Sequence, residues 1–156
     1  METEVQNTKE LSTREKIDLF EAALLTAPQV PYILNHVFTP GMYSRELYML
    51  AGTMWTSEYH KTEHQYVVLE GCVSVFTEKD GEVLITAPFK GVTKPGTKRV
   101  LFIHENTRWV TFHPTDVVPA GDSKEDIEEA VAKVKNAIIE EHENKFLNTK
   151  SKEVTL

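Results

Sequence analysis

A long succession of short β-type segments is the feature that most constrains the fold. Between Tyr32 and about Thr115, runs rich in Val, Ile, Tyr, Phe and Thr alternate with turn signals such as Thr39-Pro40-Gly41 and Glu78-Lys79-Asp80-Gly81. Strands that recur roughly every 8–12 residues with tight turns between them are typical of an antiparallel sandwich or barrel. The sequence therefore predicts a mainly β protein with the strand segments "YILNHVF", "YSRELYML", "TMWTSEYH", "QYVVLEG", "CVSVFT", "EVLIT", "KRVLFI" and "RWVTFHP".

One helix is predicted on each side of this β-rich region. Ser12 and Glu15 form a capping box ahead of an apolar-periodic segment that should end before Pro28. Ser123 starts a longer helix whose apolar stripe must be buried on the barrel's outer wall or against a partner subunit. The predicted organisation is a flexible N-terminus at 1–11, a barrel with its preceding helix at 12–121, a C-terminal amphipathic helix at 122–147 and a flexible tail at 148–156.

Composition narrows the class of protein. The 156 residues are 40% hydrophobic and 26% charged, which suits one globular domain, and no apolar run approaches the roughly 20 residues of a membrane span. The acidic, polar N-terminus does not resemble a secretory leader, and the single Cys72 cannot form an intramolecular disulfide. A formal charge of −7 argues against a nucleic-acid surface. We therefore expect a cytoplasmic protein with neither a membrane nor a nucleic-acid partner.

A histidine-containing stretch, "GTMWTSEYHKTEHQYVVLEG", is the main candidate site. In an extended strand, Glu58 and His60 project to the same face, and His64 can swing back beside them after the excursion 61–63. A carboxylate and two imidazoles that meet inside a barrel can bind a first-row divalent metal with open positions. The alternative is that they are polar residues at a strand end, hydrogen-bonded to water.

The intervals in this stretch resemble the first cupin motif. In that motif a glycine is followed after five residues by His-x-His, after three or four more by Glu, and after six by Gly. Here Gly52 is followed at the same intervals by Glu58, His60, His64 and Gly71, so that two ligand identities are exchanged. The resemblance implies a small antiparallel jelly-roll barrel with the site inside, and a divalent metal such as iron, manganese, nickel or zinc on Glu58, His60 and His64.

The second cupin motif is degenerate in this chain. Within "PFKGVTKPGTKRVLFI", Gly96 matches the central glycine and Arg99 stands where the last metal-binding histidine would be. A guanidinium has no lone pair for a metal. Arg99 therefore either orients an anionic substrate beside a metal on the other three residues, or pairs with Glu58 in a site without metal. Lys94 and Lys98 add positive charge nearby.

Two further histidine patterns bear on function. His113 shares strand parity with Trp109 and Thr111, so this face can line a cavity and contact a bound anion or substrate. In addition, His60-Lys-Thr62 and His113-Pro-Thr115 resemble the paired motifs of the 2H phosphoesterases, where two histidines act as general acid and base on a phosphodiester.

Three functional hypotheses follow. The first is a cupin that binds a divalent metal and a small anionic ligand, with Arg99, Lys94 and His113 contacting the ligand. Because cupins range over many activities, the fold fixes no reaction, but an enzyme of this kind would be metal-dependent, of dioxygenase, isomerase or lyase type. The second is a metal-free binding or assembly module, and the third is the 2H-type phosphoesterase. A homodimer is expected in the first two cases, since an exposed edge strand needs covering.

Overall fold

The structure is a computed structural model that describes residues 10–147. The predicted flexible ends therefore lie outside the described residues, apart from positions 10 and 11. The described chain forms two helices and seven strands: α1 (Thr13–Thr26), β1 (Ile33–Thr39), β2 (Met42–Met49), β3 (Met54–Thr56), β4 (His64–Thr77), β5 (Gly81–Thr86), β6 (Phe89–Thr93), β7 (Val100–Pro114) and α2 (Lys124–Ile138).

The chain divides into two compact units, of which the larger is Pro28–Glu143. The smaller unit contains α1, whose start is the predicted capping box. The backbone N–H of Glu15 donates to the Ser12 hydroxyl at 3.1 Å, and the N–H of Ser12 donates to the Glu15 carboxylate at 2.9 Å. In the same unit, the side chain of Asn144 donates to the carbonyl of Asp18 at 2.8 Å. The two bonds between Ser12 and Glu15 use polar groups that the helix start would otherwise leave unpaired.

The larger unit is a bent antiparallel sheet built on two long strands, β4 and β7. The strand order is β1-β2-β7-β4-β5, with β3 also on β7 and β6 also on β4. The first part of β7 pairs with β3 and its last part with β2, while β4 pairs first with β6 and then with β5. Each long strand therefore contributes to both faces of a barrel. This is the mainly β, cupin-like jelly roll that the sequence predicts.

The core of this barrel is apolar and comes from all the central strands. Because side chains alternate along a strand, every second residue points inward and packs against its counterparts from the opposite face. The buried cluster consists of Met49, Tyr66, Val68, Val73, Val75, Ile85, Leu101, Ile103 and Trp109.

Two predicted breaks between strands are wrong, because the chain continues as one strand through each of them. Glu70-Gly71 lies within β4, where the pairing with β7 shifts register, and Gly71 has a φ of 102°. An extra residue in one strand of a pair forms a bulge that bends the strand without ending it. The segment 105–107, which separates two predicted strands, likewise lies within β7. These continuous strands allow the sheet to wrap around the core.

The segment that contains Glu58 and His60 is not strand, contrary to the prediction. β3 ends at Thr56, and the following loop is held by backbone hydrogen bonds to two other segments. The N–H of Ser57 donates to the carbonyl of Arg99 at 2.9 Å, and the N–H of Lys61 donates to the carbonyl of Ile138 at 2.8 Å. β6, in contrast, is a strand that the sequence reasoning missed, because its Phe-Lys-Gly-Val-Thr sequence has no clear alternation.

α2 begins as predicted, since the N–H of Asp126 donates to the Ser123 hydroxyl at 3.1 Å. The helix ends at Ile138, whereas the predicted segment continues to 147. Its apolar stripe packs against the barrel, where Val134 and Ile138 form a buried cluster with Tyr43 of β2. Neither helix in the described part has the length and apolar character needed to span a membrane.

Candidate functional site

A cavity of about 330 Å³ lies inside the barrel and has a polar and an apolar part. Its volume is near the lower end of the roughly 300–1,000 Å³ typical of small-molecule sites. The apolar lining includes Leu47, Met49, Trp55, Leu101 and Trp109, and the polar lining includes Arg45, Glu58, His60, His64, Arg99 and His113. A ligand with a charged group and a carbon skeleton suits such a cavity.

Strand parity places these side chains. On β7 the alternate residues Trp109, Thr111 and His113 all line the cavity, as the shared parity predicts. They are opposed on β2 by Leu47, Arg45 and Tyr43 respectively, which also line it. The inward face of this strand pair therefore changes from apolar to polar toward the C-terminal end of β7.

Three imidazoles meet at the polar end. The ring centroids of His64 and His113 are 4.4 Å apart, those of His60 and His64 are 4.7 Å apart, and those of His60 and His113 are 6.1 Å apart. The backbone of His60 is anchored by isolated bridges to Thr97 and to Ile139, which directly follows α2. Residues from a loop, the start of β4 and the end of β7 are thus brought together.

The three histidines are neutral near pH 7. Burial, with smaller contributions from His64 and Arg99, lowers the pKa of His60 to about 4. Burial and the two neighbouring histidines lower the pKa of His113 to about 3, and burial also lowers the pKa of His64. Since a cation among other cationic groups in a desolvated site is unfavourable, each ring keeps a lone pair.

Some of the ring nitrogens form no hydrogen bond of good geometry. Nε2 of His113 lies 2.9 Å from the Thr111 hydroxyl, and Nδ1 of His64 lies 3.4 Å from the carbonyl of Thr62. Nδ1 of His60 and Nδ1 of His113 are buried and form no hydrogen bond of good geometry among residues 10–147, although the His60 ring interacts with the backbone of Glu58. Buried polar atoms in native proteins nearly always have a partner, so these two nitrogens are available to hydrogen-bond a water molecule or a ligand.

Arg99 is a buried cation that faces this cavity. Arg99 is 9% exposed, and its Nη2 donates a hydrogen bond to the Thr93 hydroxyl at 2.9 Å. The guanidinium carbon lies 4.9 Å from the ring centroid of Tyr66 and 5.6 Å from that of Trp109. No carboxylate of the described chain forms an ion pair with Arg99, and burial lowers its pKa from the ordinary value. The site thus contains a desolvated positive charge without a protein counter-ion.

Glu58 and Lys94, which the sequence analysis also names, form ion pairs with residues other than Arg99. Oε1 of Glu58 is 3.8 Å from Nζ of Lys135 on α2, and about half of each side chain is exposed. The Glu58–Arg99 ion pair, one of the two alternatives, is therefore absent. Nζ of Lys94 lies 2.5 Å from Oε1 of Glu63, and Lys94 does not line the cavity. The buried positive charge at the cavity comes from arginine.

The predicted metal ligands do not fit a metal ion as they are placed. Within residues 10–147, no three His, Cys, Asp or Glu side chains are arranged so that they could hold a metal. Glu58, His60 and His64 do line one cavity, but the carboxylate of Glu58 is directed to Lys135. His113 lies beside His60 and His64, which the sequence intervals do not indicate. The pairing of β7 with β2 and β4 brings it to this position.

The phosphoesterase alternative is only partly assembled. Its two histidines, His60 and His113, are brought together, but neither Thr62 nor Thr115 lines the cavity. The Thr115 hydroxyl instead accepts from the N–H of Val117 at 3.1 Å. With pKa values of about 4 and about 3, neither ring is protonated at neutral pH, so neither suits the role of general acid.

Sequence reasoning missed Arg45 and Lys135 at the cavity. The alternation of Tyr43, Arg45, Leu47 and Met49 contains the relevant signal, since an arginine shares the face of three apolar residues. That face is recognisable as the inner one only after the pairing with β7 is known. Lys135 directly follows the buried Val134 on α2, and its neighbour in space, Glu58, is distant in sequence.

Comparisons with known proteins give distant structural similarity only. No protein-family model matches the chain, and no curated protein matches it. A cupin superfamily protein from Desulfitobacterium hafniense is 11% identical with a TM-score of 0.47, and the alignment covers 61% of this chain and 87% of that one. A cupin-2 domain containing protein from Shewanella frigidimarina is 13% identical with a TM-score of 0.45, over 62% and 92%.

Hydroxypropylphosphonic acid epoxidase from S. wedmorenis is 12% identical with a TM-score of 0.45. The alignment covers 53% of this chain and 50% of the epoxidase, so the chain spans about half of that enzyme's length. The strand order and the bent sheet of this chain are those of a cupin-type barrel. The chemistry of its site has to be inferred from the residues that line the cavity.

Proposed function

We propose that this protein is a small-molecule-binding barrel whose cavity takes a small anion on Arg99. The single observation that carries the proposal is Arg99 itself: the residue is 9% exposed, lines the cavity and has no carboxylate partner in the described chain. An arginine stays protonated in proteins, so burial does not remove its charge. An uncompensated buried charge is strongly unfavourable, and an anionic ligand would relieve this cost.

The surroundings of Arg99 support a fixed orientation for such a ligand. Tyr66 and Trp109 stack on each other with ring centroids 4.6 Å apart, and the guanidinium lies against both rings. The hydroxyls of Thr93 and Tyr66 each accept a hydrogen bond from the guanidinium, which leaves its remaining N–H groups for a ligand. A guanidinium held in this way offers the paired N–H groups that suit a carboxylate or phosphate. The neutral histidines can accept or donate further hydrogen bonds to the ligand.

Replacing Arg99 by glutamine is expected to weaken the binding of a simple carboxylate, benzoate, by about 10- to 100-fold. This corresponds to the roughly 1.5–3 kcal/mol of a hydrogen bond to a charged group. Trp55 and Trp109, the two tryptophans of the chain, both line the cavity, so tryptophan fluorescence reports binding. Titration calorimetry supplies an independent dissociation constant.

The matched control for this experiment is Arg108→Gln. Arg108 lies on the same strand as Trp109 but pairs with Glu46 at 3.3 Å and does not line the cavity. Its replacement should leave benzoate binding unchanged. Equal affinities for wild type and a folded Arg99→Gln variant would contradict the proposal.

A second candidate is a divalent transition metal held by the imidazoles of His60, His64 and His113. It is favoured by the two buried Nδ1 atoms that form no hydrogen bond of good geometry and by the neutral state of the rings, which is the form that binds metals. Since no group of three is in place in the described chain, the rings would have to rotate. A bound ion would supply Lewis acidity at the polar end of the cavity.

Metal analysis tests this second candidate. Protein purified without a histidine tag should contain about one metal ion per chain by mass spectrometry. His113→Ala and His64→Ala should each lower the content at least tenfold, because a remaining pair of imidazoles binds weakly. Glu58→Gln and the exposed His104→Ala should leave it unchanged. A metal content that depends on Glu58 but not on His113 would instead support the ligand set predicted from the sequence.

A further inference from the structure

Arg45 is a second guanidinium in the same cavity. It lies on β2 opposite Thr111 of β7, on the inward face of the strand, and is half-buried. Its guanidinium forms neither a hydrogen bond nor an ion pair with any side chain between residues 10 and 147, and the strand pairing of Arg45 uses only its backbone. The adjacent carboxylate, Glu46, points to the other face of the sheet and pairs with Arg108. Arg45 is therefore, like Arg99, a cation at the cavity without a protein counter-ion.

The two arginines approach the cavity from different strands. Across the sheet, Arg45 is opposite Thr111, and Thr111 is in turn opposite Tyr66. Neighbouring strands are about 4.8 Å apart, so the backbones at Arg45 and Tyr66 are separated by about 10 Å. The guanidinium of Arg99 lies over the ring of Tyr66. One cation is thus on the β2 side of Thr111 and the other on its β4 side.

The side chains at the polar end of the cavity carry a net positive charge that a ligand could compensate. Glu58 and Lys135 compensate each other. Among the described residues, Glu58 is the only carboxylate that lines the cavity. Two positive charges remain, on Arg45 and Arg99, and a ligand with a single anionic group would compensate only one of them. The adjacent lining of Trp55, Leu101 and Trp109 is apolar and offers a surface for carbon atoms.

We infer that the ligand carries two separate anionic groups, one bound by Arg45 and the other by Arg99, on a short apolar skeleton. This inference rests on the proposed anion-binding function and adds the class of ligand. A small dicarboxylate fits the class, and the volume of about 330 Å³ restricts it to small molecules. Arg45 then determines specificity, since it distinguishes a dianion of this kind from a monoanion.

The experiment compares benzoate with glutarate, phthalate, isophthalate and terephthalate, which vary the spacing of two carboxylates. Dissociation constants are measured by tryptophan fluorescence and by calorimetry at pH 7.5. The tightest dicarboxylate is expected to bind wild type at least tenfold more tightly than benzoate. In Arg45→Gln this preference should disappear while benzoate binding persists, and Arg45→Lys should keep most of the preference because it keeps the charge. Arg108→Gln should behave as wild type.

The outcomes separate the inference from the function on which it rests. If the dicarboxylates bind no more tightly than benzoate while benzoate binding still depends on Arg99, the inference is wrong and the proposed function is retained. A dicarboxylate preference that survives Arg45→Gln also overturns it. If wild type binds none of these anions, both the proposed function and the inference are wrong. Thermal unfolding of each variant establishes that the compared proteins are folded.

Discussion

The free energy of unfolding should fall steeply as the pH is lowered from about 6.5 to about 4. Two histidines of the cavity titrate far below the ordinary value of 6.5 in the folded protein, His60 at about 4 and His113 at about 3. Near pH 5, the unfolded chain therefore binds about two more protons than the folded protein. The expected slope is about 3 kcal/mol per pH unit, since each proton contributes about 1.36 kcal/mol per unit.

The sign of this effect follows from which state binds more protons. Well above pH 6.5, both rings are neutral in either state, so they contribute no pH dependence. Below it, protons bind to the unfolded chain first, and the folded protein loses stability until the pH reaches the folded pKa values. Because small domains are typically stable by about 5–15 kcal/mol, a loss of this size is enough to unfold the protein within a few pH units.

Urea unfolding at pH 7, 6, 5 and 4.5 measures the slope. In the double variant His60→Gln/His113→Gln, the dependence should flatten by about 3 kcal/mol per pH unit, whatever its absolute stability. The control His104→Gln removes an exposed histidine whose Nε2 lies 2.7 Å from the Ser74 hydroxyl, outside the cavity, and should keep the wild-type slope. A slope that is the same in wild type and in the double variant would show that the cavity histidines are not held neutral.

The second large effect is expected at Gly71, the bulge residue of β4. A Cβ atom at this position would lie 2.6 Å from the carbonyl oxygen of Asn106 and 2.7 Å from Cα of Thr107, and it would also clash with the Thr107 hydroxyl. These are backbone atoms of a paired strand, next to a fully buried side chain, and cannot move aside cheaply. Gly71→Ala should cost about 3–5 kcal/mol, the sum of overpacking and an unfavourable positive φ.

Gly81→Ala separates these two contributions. Gly81 has a φ of 66° and no heavy atom within 4 Å of the position that a Cβ would take. Its replacement should cost only about 1–2 kcal/mol, because the strained backbone is then the sole penalty. Denaturant unfolding of both variants makes the comparison. If Gly71→Ala were no more destabilising than Gly81→Ala, the close contact of β4 with Asn106 and Thr107 would be disproved.

The features that could be predicted from the sequence are those that depend on local chemistry. The capping residues Ser12 and Ser123 mark the helix starts, and the turn at Glu78-Lys79-Asp80-Gly81 marks a hairpin, because a few neighbouring side chains determine each of them. The alternation of strand segments and turns predicted the mainly β class for the same reason. The shared parity of Trp109 and His113 also indicated that both would face one cavity, as they do.

Features that depend on the pairing of strands distant in sequence could not be predicted from local patterns. Glu70-Gly71 has the composition of a turn, but pairing with β7 makes it a bulge in a longer strand. Glu58 was expected to lie beside His60 as a ligand, yet α2 supplies Lys135 as its partner. Arg45 looks like any arginine in a half-exposed strand until its pairing with β7 is known.

By itself, then, the sequence determined the fold class, the helix starts and the presence of ligand-type residues at the intervals Gly52, Glu58, His60, His64 and Gly71. The tertiary structure alone decided which of these residues meet. It joined His113 to His60 and His64, turned Glu58 toward Lys135, and left Arg45 and Arg99 without counter-ions at one cavity. The physical reason is that burial and charge compensation depend on strand pairing between residues far apart in the chain, which no local pattern records.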